Sequence, residues 1–290
     1  MNYIILDLEW DSTYFPKQKR FINQILQIGA VKLNQSFDVI DSFELTIKSS
    51  ISKKVTGRFA KLTGITTEIM LSGVSFEDAV TAYNEWVGED TVTMTWSNSD
   101  LYTILENEDN ILKDKHFKIE KYLDLQKFVQ GEMKLLGYED KNQVSLEAAA
   151  EFLKIETDDI DFHTARDDSL VSAYLLKKCY NKQRFEALIR DTSNPEFFKR
   201  LRFKAYSISN LNDKNIDKSQ LEFVCEKCGR KAKRVSKWKY SNRWFWANFE
   251  CECKNKFSGR ISFKKTYDDL IVRKKVCEFK EKKQPTKTED

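Results

Sequence analysis

Two groups of residues in this 290-residue chain have the types and spacing that chemistry needs. The first is Asp7-Leu8-Glu9, at the end of the apolar run Ile4-Ile5-Leu6. A short apolar, β-branched run reads as a covered strand, and residues i and i+2 of a strand share a face. Asp7 and Glu9 are therefore expected side by side. Paired carboxylates repel each other and are costly to desolvate, so they call for a shared proton or an intervening cation. Mg²⁺ and Mn²⁺ take such oxygen ligands. An isolated Asp-x-Glu more often ends with one carboxylate in water, so the pair gains meaning only from the rest of the chain.

The second group is Cys225-Glu226-Lys227-Cys228, followed after 22 residues by Cys251-Glu252-Cys253. Two close thiolate pairs can close a tetrahedron around one Zn²⁺. Gly229 eases the turn after the first pair, while the second pair has one intervening residue instead of the commoner two. The interval is basic and aromatic. Lys231, Lys233, Arg234, Lys237, Lys239 and Arg243 are candidates for holding phosphates, interleaved with Trp238, Tyr240, Trp244 and Trp246. Each aromatic either fills the small core of such a module or stacks on a base.

The elements that must position these groups follow from the patterning. Ile25–Leu33 reads as a second strand and 37–47 as a third, with Asp11–Arg20 as a polar loop between the first two. Residues 53–62 read as a helix broken by Gly64 in Leu62-Thr63-Gly64-Ile65-Thr66, and Ser75 caps a helix with Phe76, Ala79, Val80, Tyr83 and Val87 on one side. Thr91–Trp96 is a strand running into Ser97-Asn98-Ser99-Asp100 and a helix, and Tyr122-Leu123-Asp124-Leu125 is another strand. Ser145–Leu153 is a capped helix, and a periodic helix from Asp168 to Tyr180 turns Leu170, Val171, Tyr174, Leu175 and Cys179 inward. A meander followed by alternating strands and helices predicts a mixed α/β sheet covered by helices.

The order Asp7-x-Glu9, Asp100, His163 and Asp168, with Asp168 five positions after His163, resembles the DEDD exonucleases in their histidine-bearing branch, DEDDh, which includes DnaQ-like and RNase T-like enzymes. The resemblance covers about residues 1–185 and includes the segments at 62–66, 122–125 and 145–153. It implies an RNase H-like sheet and 3′→5′ hydrolysis of phosphodiester bonds in single-stranded nucleic acid, RNA favoured over DNA, with two Mg²⁺ or Mn²⁺ ions. By the same resemblance Asp7 bridges both ions, Glu9 and Asp168 hold the first, and Asp100 holds the second through water. His163 is then the general base, for which an imidazole near neutrality is suited. Asp167 is set aside by the five-residue spacing, and His116 lies in a charged stretch without a role.

Charge divides the chain. Residues 1–180 hold 20 Lys/Arg and 30 Asp/Glu, whereas residues 181–290 hold 29 and 15, balances of −10 and +14 that give the net +4. An acidic part suits cations and a basic part suits a polyanion. The expected organisation is an exonuclease domain at 1–185, a connector at 186–220, a zinc-ribbon-like module at 221–265 with one Zn²⁺, and a charged, disordered tail at 266–290. No apolar run is long enough to span a membrane and no leader is visible, so a cytoplasmic protein is the default. Two alternatives stay open: a non-catalytic nucleic-acid- or protein-binding module that kept the fold, and a ribbon that docks a protein partner.

Overall fold

The computed structural model describes residues 1–112, 115–140, 142–157 and 164–279. The chain divides into two compact units, Met1–Phe198 and Lys199–Asp290.

The first unit is built on β1 (Asn2–Phe15), β2 (Arg20–Leu33), β3 (Val39–Thr46), β4 (Thr91–Thr95), β5 (Lys121–Asp124) and β6 (Arg190–Asp191). They form one sheet in the order β3-β2-β1-β4-β5-β6. The first three strands are an antiparallel meander, β4 and β5 run parallel to β1, and β6 is antiparallel. This is the mixed sheet the patterning predicts. The helices are α1 (Gly57–Thr63), α2 (Thr67–Ser72), α3 (Phe76–Val87), α4 (Ser99–Asn110), α5 (Leu125–Leu135), α6 (Leu146–Leu153), α7 (Ala165–Cys179), α8 (Lys182–Leu188) and α9 (Pro195–Arg202). One core packs Tyr3, Ile5, Val92, Met94 and Leu123 of the sheet against Phe128, Val129, Leu175, Leu176 and Phe185 of the helices.

Local signals set most helix ends. The side chains of Thr56, Thr66, Ser75, Asp124, Ser145 and Thr164 each accept a backbone N–H in the first turn of the helix that follows. Gly64 ends α1 at φ 72°, the left-handed conformation glycine adopts without a Cβ penalty.

Four local readings change. The segment expected as a loop from Asp11 is strand up to Phe15, because buried Phe15 and Ile22 extend the β1–β2 hairpin to its turn. The helix expected from Lys53 begins at Gly57, where Thr56 caps it. The third strand, expected over 37–47, spans Val39–Thr46, with its first four residues exposed and Phe43, Leu45 and Thr46 half-buried. The buried stripe of α7 is rotated: Tyr174 is exposed, and the small residues Ala165, Ser169, Ser172 and Ala173 are buried instead. Small side chains let this helix approach the sheet closely, a requirement that hydrophobic periodicity does not register.

The second unit holds β7 (Tyr206–Ser207), β8 (Phe223–Val224), β9 (Lys231–Arg234), β10 (Lys239–Ser241), β11 (Trp244–Glu250), β12 (Lys256–Lys265) and β13 (Leu270–Glu278). They form an antiparallel sheet along β13-β12-β11-β9-β8, with β10 on β11 and β7 on β12. Its buried face carries Phe245, Phe249, Phe257, Ile261 and Phe263. Two expected boundaries shift. Ile208 and Ile216, assigned to the connector, lie in this core. Residues 270–278, assigned to the tail, pair with β12 at nine positions, because Leu270, Val272 and Val276 alternate onto the core among the charges. Residues 280–290 lie outside the described residues.

Candidate active site

Asp7 and Glu9 sit on β1, opposite Gly29 and Gln27 of β2, just before a register shift between Glu9 and Trp10. Asp168 comes from the first turn of α7. One carboxylate oxygen from each of the three lies within 4.8 Å of the others. Asp100, in the first turn of α4, is buried, and its Oδ1 accepts the Leu8 N–H at 3.2 Å. That bond ties Asp100 to the strand between Asp7 and Glu9. All four carboxyl positions singled out in the sequence therefore come from adjacent elements. His163 lies outside the described residues; the residue after it, Thr164, is the N-cap of α7.

The electrostatics are those of negative charges forced together. Burial, then the charges of Asp100, Asp168 and Glu9, push the Asp7 carboxyl well above the usual range. Burial and the charges of Asp168 and Asp100 raise Glu9 to about 8. Asp100 is raised to about 7 by burial, against the backbone N–H groups that it accepts from, Leu8 among them. A divalent cation reverses this balance, replacing repulsion by attraction. The donor set, all carboxylate oxygen, fits a hard cation such as Mg²⁺ or Mn²⁺.

Positioning residues that the sequence reading left unassigned fix these carboxylates. A Cβ on Gly29 would lie 2.3 Å from the Ala165 carbonyl carbon and 2.3 Å from the Arg166 nitrogen, so α7 rests directly on β2. Gln27 Oε1 accepts the Ala165 N–H at 3.4 Å, and Ser169 donates to the Ala165 carbonyl at 2.8 Å. An interior glycine in a strand signals such a close approach, so Gly29 could have been found in the sequence. On the other side, Asn107 Oδ1 accepts the Ile25 N–H at 3.1 Å and its amide donates to the Asn23 carbonyl at 2.7 Å, which pins α4 to β2. Asp11 is buried but structural: it accepts the Thr56 N–H at 2.6 Å and the Thr56 hydroxyl at 2.8 Å. Asp167 pairs with Arg166 at 3.1 Å, and exposed His116 pairs with Glu108 at 3.2 Å.

In the second unit the sulfurs of Cys225, Cys228, Cys251 and Cys253 all lie within 4.8 Å of one another. Each pair closes a knuckle. Cys225 donates its N–H to the Arg230 carbonyl at 2.9 Å, and Gly229, at φ 72°, donates to Cys225. Cys251 donates to the Asn255 carbonyl at 3.0 Å, and Lys254, at φ 64°, donates to Cys251. The shortened second pair is thus accommodated by a left-handed lysine. Burial raises the Cys225 thiol, but the Asn255 amide and the N–H groups of Cys228 and Lys227 outweigh it and bring it to about 6. Four thiolate donors with N–H···S support fit a soft tetrahedral cation.

The basic residues between the pairs are less uniform than their sequence suggests. Lys231 is paired with Glu222. Arg234 lies 5.9 Å over the Trp238 ring and Lys239 lies 5.0 Å over Trp246. Lys233, Lys237 and Arg243 are exposed.

No helix among the described residues is long and apolar enough to cross a membrane. None of the curated protein sequences compared with the chain matches it significantly. Among solved structures, the nuclease domain of 3′hExo, a DEDDh family member bound to rAMP, aligns with 20% identity and a TM-score of 0.52, covering 61% of this chain and 90% of that one. A 3′-exonuclease in 3′-end specific recognition of histone mRNA stem-loop aligns at 17% identity and 0.52, covering 66% and 84%. Cell-death related nuclease 4 aligns at 22% identity and 0.51, covering 61% of this chain and 62% of that one, so the likeness is one of fold over part of each chain. The family profile RNase_T, described as Exonuclease, matches residues 5–176, the stretch that carries Asp7, Glu9, Asp100 and Asp168, and the chain belongs to that exonuclease family.

Proposed function

We propose that the first unit is a metal-dependent 3′→5′ exonuclease acting on single-stranded nucleic acid. The observation that carries this reading is the convergence of Asp7, Glu9 and Asp168, with oxygens within 4.8 Å, beside buried Asp100. RNA is favoured over DNA, because two of the fold neighbours were solved with rAMP or in recognition of a histone mRNA stem-loop.

Asp7, Glu9 and Asp168 would hold one Mg²⁺ or Mn²⁺, and Asp7 with Asp100 a second. When bound, such a pair of ions ionises the attacking water and neutralises the leaving oxygen. The chain's own residues do the rest. His163, immediately before the N-cap of α7, takes the proton of the attacking water. The backbone contact at Gly29 holds Asp168 against β1, and the Leu8 N–H orients Asp100. In the second unit the four cysteines would hold one Zn²⁺, whose role is to fold a small sheet rather than to react.

End-labelled single-stranded RNA and DNA, incubated with the pure protein and Mg²⁺, Mn²⁺ or EDTA, test the reading. Mononucleotides released from the 3′ end, only with metal and not by Asp7→Asn, are the expected result. Release from the 5′ end, or equal hydrolysis by Asp7→Asn, would refute it.

A further inference from the structure

The exposed face of the second sheet is organised as the residues between the cysteine pairs alone are not. Residues directly opposite each other in an antiparallel ladder share a face. Lys239 stands opposite Trp246, Trp246 opposite Arg260, and Arg260 opposite Lys275, which makes one row across β10, β11, β12 and β13. The row lies on the side away from buried Phe245, Ala247 and Phe249. It carries three cations and one indole. Trp244, two residues along β11, is on the same face, with the Lys275 ammonium 5.6 Å from its ring.

Beside Trp244 the sheet is interrupted. β11 pairs with β12 up to Ile261, and β7 takes over at Lys264, so a gap opens along that edge of β12. The gap is a cleft of about 540 Å³ whose lining includes Arg243, Lys264, Arg273, Trp244, Tyr240 and Ser262. Among the described residues that line it there is no Asp or Glu. Arg243 is held there by the β10–β11 turn, in which Asn242 and Arg243 both have positive φ, of 50° and 64°.

From this arrangement we propose that the outer face of β10–β13, with the adjoining cleft, binds single-stranded nucleic acid. Bases stack on Trp244 and Trp246, and Arg260, Lys275, Arg243 and Arg273 hold phosphates. Two residues along a strand advance about 6.8 Å, twice the ~3.4 Å repeat along a stacked strand, so every second base comes level with a ring. The lysines now over the two indoles are replaced there by bases and are left next to the phosphates. Stacking and cations without hydrogen-bonding specificity suit a strand of any sequence. The inference rests on the nuclease reading for its substrate class. It moves the binding surface away from Lys231 and Arg234, which already have partners, and adds Arg260, Arg273 and Lys275 from outside the interval between the cysteine pairs.

The test uses the full chain carrying Asp7→Asn, so that substrate survives, with fluorescein-labelled oligo(dT) and oligo(U) 20-mers followed by anisotropy at several salt concentrations. Arg260→Glu with Lys275→Glu is expected to weaken binding at least tenfold. Losing two phosphate contacts should also flatten the log–log salt slope by about 1.4, at 0.7 per contact for single strands. Trp244→Ala should weaken binding about tenfold. The milder Arg260→Gln with Lys275→Gln should move in the same direction with zinc content unchanged. Lys214→Glu with Lys218→Glu, a matched charge change on exposed residues elsewhere in the unit, should have little effect. Unchanged affinity in the Arg260/Lys275 variants, or equal weakening by the control pair, would overturn the proposal and favour a protein partner for this face. Hydrolysis of a dinucleotide by the same variants with Asp7 intact keeps the two readings apart. If it fails in the unmutated chain while strand binding still responds to Arg260 and Lys275, the nuclease reading falls and the binding surface stands.

Discussion

Gly29 and Ala165 touch through their backbones: a Cβ added to Gly29 would lie 2.3 Å from the Ala165 carbonyl carbon. Gly29 is also the ladder partner of Asp7. One residue therefore sets the distance between the strand and the helix whose carboxylates must converge. Gly29→Ala should destabilise the first unit by about 1–3 kcal/mol, the usual cost of overpacking. Its activity should fall further, about 10²-fold, because displacements near 1 Å cost that much in a preorganised site. Urea unfolding and steady-state hydrolysis, measured on the same preparation, separate the two effects. A loss of activity no larger than the loss of folded protein would remove Gly29 from the positioning of Asp168.

Asp7→Asn, Glu9→Gln, Asp100→Asn and Asp168→Asn should each reduce hydrolysis about 10³-fold or more, since metal stabilisation of transition-state charge is worth several kcal/mol. Circular dichroism should find all four folded. Near-normal turnover in one of them would show that the residue holds no ion.

The raised carboxyls predict how the metal-free protein responds to pH. A carboxyl whose folded value lies above its unfolded value binds more protons in the folded state over that interval, so stability falls as pH rises. With Glu9 raised to about 8 and Asp100 to about 7, the loss should develop between about pH 4 and 8. Melting temperature without divalent ions should therefore drop across this window, less steeply in Glu9→Gln, and Mg²⁺ should restore it at pH 8. A flat profile would mean that these charges are not close together in solution.

His163→Ala should lower turnover by about 10²–10⁴-fold, the range for a general base, and leave strand affinity nearly intact. An unaltered pH–rate profile in this variant would exclude the imidazole from proton transfer.

Zinc should copurify at about one ion per chain, and Cys225→Ser or Cys251→Ser should lose it. Because the module folds around its metal, these variants should expose Trp238, which packs against the core, to quenchers. Dinucleotide hydrolysis should persist, since every proposed catalytic residue precedes Phe198. Elemental analysis that finds no zinc in protein purified without chelators would refute the assignment.

What could be read from the sequence followed from strict periods and fixed spacings. The two-residue period of a strand is enough to set Asp7 beside Glu9, and the cysteine spacings are enough to assemble four sulfurs. The caps at Ser75 and Ser145 were legible because a side-chain oxygen before a helix has few other uses, whereas Thr56 was hidden inside a helix read as starting at Lys53. What could not be read depended on distant neighbours. Nothing within 20 residues of Gly29 indicates that a helix starting at Ala165 will rest on it. The small-residue stripe of α7 answers that contact and so evades a search for apolar periodicity. Val272 and Val276 are hidden among Arg273, Lys274 and Lys275, so a core strand passed for a solvated tail. Lys231 read as a free cation because its partner, Glu222, lies on the far side of the Cys225–Cys228 knuckle.

Among the described residues β13 is the terminal strand of its sheet, and no other described strand pairs with its far edge over nine residues. An edge of that length can template a strand from a second copy and start aggregation. Arg273, Lys274 and Lys275 lie consecutively in the middle of it. Two copies meeting edge to edge would bring six cations together, so the edge repels its own kind. Cations proposed to draw in a polyanion would thus also oppose self-association, and neutralising them to abolish binding is expected to carry a cost in solubility that light scattering would detect.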